Sequence, residues 1–145
     1  LIVTGVQTCA LPIFEPNLGA YFGYVLADIP GLIEGASDGK GLGHKFLRHI
    51  TRTKSLVHLV GADNEDVAEV YTTIRNELGK YDKELLQKEE IVVLSKTDTV
   101  DEKELAKKVK DLEKVSKKKV VSLSLYEDDS VKAFGDILVK TLEKK

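Results

Sequence analysis

Two short stretches carry residues whose types and spacing suit chemistry. The first runs Val25-Leu26-Ala27-Asp28-Ile29-Pro30-Gly31. Its apolar run reads as a strand that delivers Asp28 to the rim of a sheet, where α/β folds bind ligands. An acid there, just ahead of a Pro-Gly turn, suits a cation beside an anion. Pro30 shapes the turn, and Gly31 lets a backbone N–H approach an anion with no side chain in the way. The motif is short, and a strand ending in a solvated aspartate before an ordinary turn fits it equally well. The second stretch is Ser95-Lys96-Thr97-Asp98, directly after the apolar run Ile91-Val92-Val93-Leu94. A carboxylate at Asp98 can accept two hydrogen bonds from a group with adjacent N–H donors. The N1–H and 2-amino edge of guanine is such a group, and adenine lacks it. Pairing of this kind discriminates because a mismatch leaves buried polar groups unpaired. The Lys96 stem can lie across a flat ring with its charge at the tip. The plainer alternative is a polar turn in which Asp98 or Thr99 only caps a helix.

A third stretch invites a reading that its spacing refuses. Gly35-Ala36-Ser37-Asp38-Gly39-Lys40-Gly41 looks like a phosphate-binding loop. That loop needs four residues between its glycines and a hydroxyl after the lysine, to reach a metal. Here there are three residues, and Gly41 follows Lys40. The segment reads instead as a glycine-rich loop able to change shape.

The elements that would position these residues follow in order. Ala20–Phe22 and Tyr24–Leu26 suit a short antiparallel pair hinged near Gly23. His44 to Thr53 carries Phe46, Leu47 and Ile50 at helical spacing. Leu56 to Val60 reads as a strand, after which Asp63 or Asn64 can cap a helix. That helix carries Val67, Val70, Tyr71, Ile74, Leu78 and Tyr81 at a 3.6-residue period. The continuous run Ile91–Leu94 suits a parallel strand covered on both faces. Thr99 with Glu102 has the spacing of a capping box, and Leu105, Val109, Leu112 and Val115 continue as a helical stripe. Lys117 to Lys119 is a basic turn. Val120 to Leu125 reads as a last strand. Ser130 would start a final helix with Val131, Phe134, Ile137, Leu138 and Leu142 inward. Strand–helix alternation of this kind specifies an α/β domain with a mostly parallel sheet and helices on both faces.

Composition sets the outer limits. The 145 residues suit one domain, with 42% hydrophobic and 32% charged residues. A net charge of −2 gives no global pull toward nucleic acid or membrane. No apolar run approaches the roughly 20 residues that span a bilayer. Cys9 is the single cysteine, and His44, His49 and His58 form no metal-ligand pattern. A reducing, cytoplasmic setting is the expectation.

Taken together, the motifs carry a resemblance. Glu15-Pro16-Asn17-Leu18-Gly19, the run from Ala27 to Ala36, the run from Gly39 to Ile50, and Ser95 to Asp98 are similar to the Obg family of GTPases. The resemblance implies a Ras-like P-loop GTPase domain that binds GTP and GDP, needs Mg²⁺ and hydrolyses GTP slowly. It also implies a role in assembly of the large ribosomal subunit. A cytoplasmic monomer with no membrane partner is the accompanying expectation. In that mapping Asp28 holds Mg²⁺ through water, and the Gly31 N–H meets the γ-phosphate. The loop through Gly43 is the second switch. Lys96 and Asp98 read guanine, and Ser124-Leu125 matches the late loop whose backbone N–H faces guanine O6. No catalytic side chain is assigned: Leu32 stands where Ras-like proteins carry a water-orienting Gln.

The departures set further expectations. The family's usual Asn is Ser95 here, and its usual Ala is Leu125, which would crowd the base. Val3 to Ile13 resembles the in-frame translation of a sequencing-library adapter. Residues 1–13 are therefore read as a non-native segment and residues 14–145 as a partial Obg-type G domain. On this reading the first strand and the phosphate-binding loop are missing, a gap opens between the strand ending at Asp28 and the strand at Leu56–Val60, and the chain binds GTP poorly. A rival reading is a non-catalytic α/β interaction domain whose nucleotide site has decayed.

Overall fold

The computed structural model of the chain describes residues 2–4, 17–28 and 52–143. The helix expected from His44, the glycine-rich loop, Pro30, Gly31 and Leu32 all lie outside the described residues. Asp28 enters as backbone alone. The chain divides into two compact units, Leu1–His58 with Thr72–Glu90, and Leu59–Tyr71 with Ile91–Lys145.

The first unit is built on strands β1 (Ile2–Thr4), β2 (Asn17–Tyr21), β3 (Tyr24–Asp28) and the start of β4 (Ser55–Gly61), in the order β2-β3-β1-β4. β2 and β3 pair antiparallel, with Tyr21 opposite Tyr24 and Asn17 opposite Asp28. Two residues close this hairpin, Phe22 at φ 48° and Gly23 at φ 80°. Positive φ at both positions matches the right-handed twist of the strands. Gly23 adopts it freely; Phe22 does so against its own Cβ.

β1 corrects one expectation. No gap stands between β3 and β4: Ile2 and Val3 pair parallel with Ala27 and Asp28, and Val3 and Thr4 pair parallel with Val57 and His58. The cause is that ladder hydrogen bonds come from the backbone, so any extended segment can supply them. Ile, Val and Thr are β-branched and favour that conformation.

Helix α1 (Val67–Tyr81) begins in the second unit and continues into the first. Its cap is neither Asp63 nor Asn64: Asp66 Oδ1 accepts the Glu69 N–H at 2.8 Å. A cap side chain reaches the N–H two or three residues on, and Asp63 lies too far upstream. Within the first unit, buried His58 lies with Nδ1 3.2 Å from Glu90 Oε1, and Arg75 approaches the same oxygen at 3.5 Å.

The second unit holds the end of β4, β5 (Glu89–Ser95), helix α2 (Glu102–Ser116), β6 (Val120–Leu123) and helix α3 (Asp128–Glu143), with strands in the order β4-β5-β6. β5 and β6 run parallel, with Ser95 opposite Leu123. Val60, Ala62, Val67, Tyr71, Val92, Leu94, Leu112 and Val120 form its core. The α2 cap is Asp101, whose Oδ1 accepts from the Glu104 N–H at 2.8 Å, so the expected Thr99–Glu102 box does not form. Thr99 is engaged elsewhere: its Oγ1 donates to the Lys96 carbonyl. Lys117 ends α2 in the left-handed conformation, its N–H bonded to Glu113 O. β6 stops at Leu123, leaving Ser124 and Leu125 in a turn, and α3 starts two residues before Ser130. Leu138 is buried, whereas Val131 and Ile137 are exposed rather than inward. Among the described residues no helix is long and apolar enough to cross a membrane.

Leu112 is fully buried in this core, where truncation leaves a cavity. Leu112→Ala is expected to destabilise the chain by about 2–5 kcal/mol, read as a lowered urea midpoint at unchanged slope. A change of only a few tenths of that would show that the core is not packed around this side chain.

Candidate functional site

The residues that the sequence singled out on β5 and after β6 are brought together in the second unit. β5 ends at Ser95, whose Oγ donates to Val60 O at 3.2 Å and whose carbonyl accepts the Ala62 N–H at 2.8 Å. The Ser95 side chain thus braces the end of β4. Lys96 then turns left-handed, at φ 56° and ψ 39°. That conformation costs a non-glycine residue about 1 kcal/mol. Two bonds to the Lys96 carbonyl offset it, from the Thr99 N–H at 3.1 Å and from Thr99 Oγ1 at 2.7 Å. The turn tucks Thr97 inward and leaves Asp98 exposed at the mouth.

Asp98 does not cap the helix. Its Oδ1 accepts from Ser124 Oγ at 2.7 Å, joining the loop after β5 to the loop after β6. Ser124 is fully buried and every polar atom it has is used. Its N–H donates to Ser130 Oγ at 2.8 Å, its carbonyl accepts from Ser130 Oγ at 3.0 Å, and its Oγ accepts the Tyr126 N–H at 3.2 Å. A hydroxyl held by so many bonds fixes the carboxylate it serves. A carboxylate carries two oxygens with about four acceptor positions, so Asp98 keeps acceptor capacity for a ligand. Leu125 is 80% exposed beside this pair, so its bulk faces outward instead of filling the core.

The sequence did not announce two further residues. Lys96 Nζ pairs with Asp63 Oδ2 at 2.7 Å. The Lys96 hydrogen bond and charge hold the Asp63 carboxyl below the usual carboxylate range, against a smaller opposing effect of burial. Beneath Asp63, buried Lys108 donates to Ala62 O at 2.7 Å and Asn64 O at 3.0 Å, and pairs with Glu104 at 2.6 Å. A signal for Lys108 was present: it falls on the stripe with Leu105 and Leu112, at a position facing the core. Asp63 reads locally only as a helix-cap candidate, and its pairing with Lys96, 33 positions away, has no local signal.

Asp28 closes β3 in the first unit, and its carboxylate, with Pro30 and Gly31, lies outside what the structure describes. Among the described residues no cluster of three or more His, Cys, Asp or Glu could hold a metal ion. Mg²⁺ does not require one, because it commonly takes one or two carboxylates and completes its shell with phosphates and water.

Parallel strands ending in loops at one rim, with a carboxylate braced across two of them, define an α/β domain built to bind a ligand at its strand ends. A family described as "50S ribosome-binding GTPase" matches residues 12–96. The chain is 48% identical over 121 residues to GTPase Obg of Pelagibacter ubique, covering 81% of this chain and 37% of that protein. It is 45% identical over 134 residues to GTPase Obg of Anaplasma phagocytophilum, covering 90% and 38%. It thus spans less than two fifths of the length of these relatives. The crystal structure of a probable GTP-binding protein, engB, superposes with a TM-score of 0.62 at 14% identity, covering 99% of this chain and 98% of that one, and shares the fold. The chain belongs to the 50S ribosome-binding GTPase family, among its Obg members.

The Lys96–Asp63 pair has a definite acid limit. A carboxyl whose folded value is lowered contributes stability above its unfolded value and loses it as pH falls through the folded one. Both side chains are nearly half exposed, so the effect on global stability is small. By NMR, the Asp63 carboxyl is expected to titrate below the usual carboxylate range and to rise in Lys96→Ala. An unmoved midpoint in that variant would show that the pair does not persist in solution.

Proposed function

We propose that this chain forms the base-reading part of a GTP-binding, GTP-hydrolysing switch that works on the large ribosomal subunit. The observation that carries this reading is the hydrogen bond between Ser124 and Asp98, which fixes a carboxylate where two loops meet. In this reading Asp98 accepts the N1–H and 2-amino group of guanine. The Lys96 stem lies along the ring, and in the turn after Ser124 it is the Leu125 N–H that faces O6, since the Ser124 N–H is bonded to Ser130 Oγ. Ser95 acts on the protein side, through its bond to Val60 O. Asp28 would hold Mg²⁺, which neutralises charge on the phosphates when bound, and Pro30 and Gly31 would shape the γ-phosphate contact. Family membership supports GTP and GDP as ligands; the ribosomal partner rests on the family's description.

The 145 residues contain no G-x-x-x-x-G-K-[ST] spacing. That loop cradles the phosphates and supplies their lysine. We therefore assign base recognition to this chain alone, with weak hold on a triphosphate, and hydrolysis to a protein that carries such a loop. Residues 14–145 are the partial G domain in this proposal.

Base recognition is testable by NMR titration of the chain with nucleosides. Guanosine is expected to shift the Thr97, Thr99 and Ser124 amides, and adenosine is not. In Asp98→Asn one acceptor becomes a donor, which suits the 2-carbonyl of xanthosine. Guanosine affinity is expected to fall on the order of 10- to 100-fold, with xanthosine favoured in its place. Equal responses of the native chain to guanosine and adenosine would rule the assignment out.

A further inference from the structure

Lys96 has a long side chain with several rotatable bonds, and ordering such a chain against a ring loses considerable rotamer entropy. In this structure it is already ordered, by Asp63 at 2.7 Å. An exposed ion pair is ordinarily too weak to order a lysine, because both partners must be held. Asp63 differs in that the backbone on both sides of it is anchored. Lys108 donates to the carbonyls of the residues on either side of it, Ala62 and Asn64. The Asn64 side chain donates back to Gly61 O at 2.8 Å, and the Asn64 N–H reaches the same carbonyl at 3.2 Å. The loop is folded so tightly that a Cβ on Gly61 would collide with Asp63 Oδ1. The carboxylate therefore lies in a place that only glycine at 61 leaves open. A buried ammonium, a tight turn and a braced carboxylate form one connected arrangement that ends at Lys96.

We infer that Asp63, anchored through Lys108 and Gly61, is a positioning residue for base binding: it holds the Lys96 side chain extended at the mouth before any ligand arrives. This rests on the guanine-reading assignment above. Asp63 touches no ligand in this account and acts only through Lys96. Because Lys96 meets the face of the ring rather than its edge, Asp63 governs how tightly a purine is held. The choice between guanine and other bases stays with Asp98.

The experiment is a double-mutant cycle on the 145-residue chain, with guanosine and xanthosine as probes and amide shifts as readout. Asp63→Ala is expected to weaken guanosine on the order of 5- to 10-fold and to leave the guanosine-to-xanthosine ratio unchanged. In a Lys96→Ala background the same substitution is expected to have no further effect, since the group it positions is gone. Asp63→Glu is expected to recover part of the loss. Gly61→Ala displaces the Asp63 carboxylate without altering Lys96 or Asp98, so it should reproduce the Asp63→Ala loss. A native spectrum in each variant shows that the fold is kept. If the native chain does not respond to guanosine, the base-reading assignment falls and this inference with it. If guanosine binds the native chain and Asp63→Ala alike, or if Asp63→Ala costs the same with and without Lys96, the inference alone is overturned.

Discussion

The second unit depends on one buried charge. Lys108 brings an ammonium from α2 into a setting that is only 7% exposed, where an unpaired charge would be strongly unfavourable. It is satisfied by the carbonyls of Ala62 and Asn64 and by Glu104. Those carbonyls belong to the turn that ends β4, which has left the sheet ladder and needs another donor. The lysine thus meets the hydrogen-bonding need of a strand end, and the strand end meets the electrostatic need of the lysine. Removing either partner leaves a buried polar group alone, which ties the helix to the turn more firmly than apolar contact would.

The loops at the mouth inherit this order. The turn carries Asp63, Asp63 holds Lys96, and Ser95 ties the start of the same loop back to Val60. From the other side, α3 contributes Ser130, which clamps both backbone groups of Ser124. Ser124 then fixes Asp98. A polar surface that looks mobile by composition is in this way braced by three separate elements. Preorganisation of this kind lowers the ordering cost of binding a rigid planar ligand. The left-handed Lys96 is the local strain that this arrangement sustains.

Much of this was legible in the chain and some was not, for physical reasons. Period 3.6 between Val67 and Tyr81, and the unbroken run Ile91–Leu94, report burial directly, so α1 and β5 stood where expected. Caps were less legible. Asp63, Asn64, Asp66, Thr99 and Asp101 are all residues that cap well, and which one does so depends on where the helix begins. The inward stripe of α3 was read too wide, because Val131 and Ile137 lie at its margin and stay more than a third exposed, while Leu138 is buried. The gap expected between β3 and β4 is closed because ladder hydrogen bonds come from the backbone, so an extended segment can pair there whatever its side chains.

By itself the sequence determined the alternation of strands and helices, the α/β class, and the residue types at the ends of β3, β5 and β6. These are properties of local periodicity and short motifs, readable within a few residues. Tertiary structure alone decided which of those residues meet. Asp98 and Ser124 are 26 positions apart, Lys96 and Asp63 are 33 apart, and Lys108 and Ala62 are 46 apart. No local rule links residues at such separations. They meet because strands and helices pack around one core, and the packing carries the loop ends to a common rim.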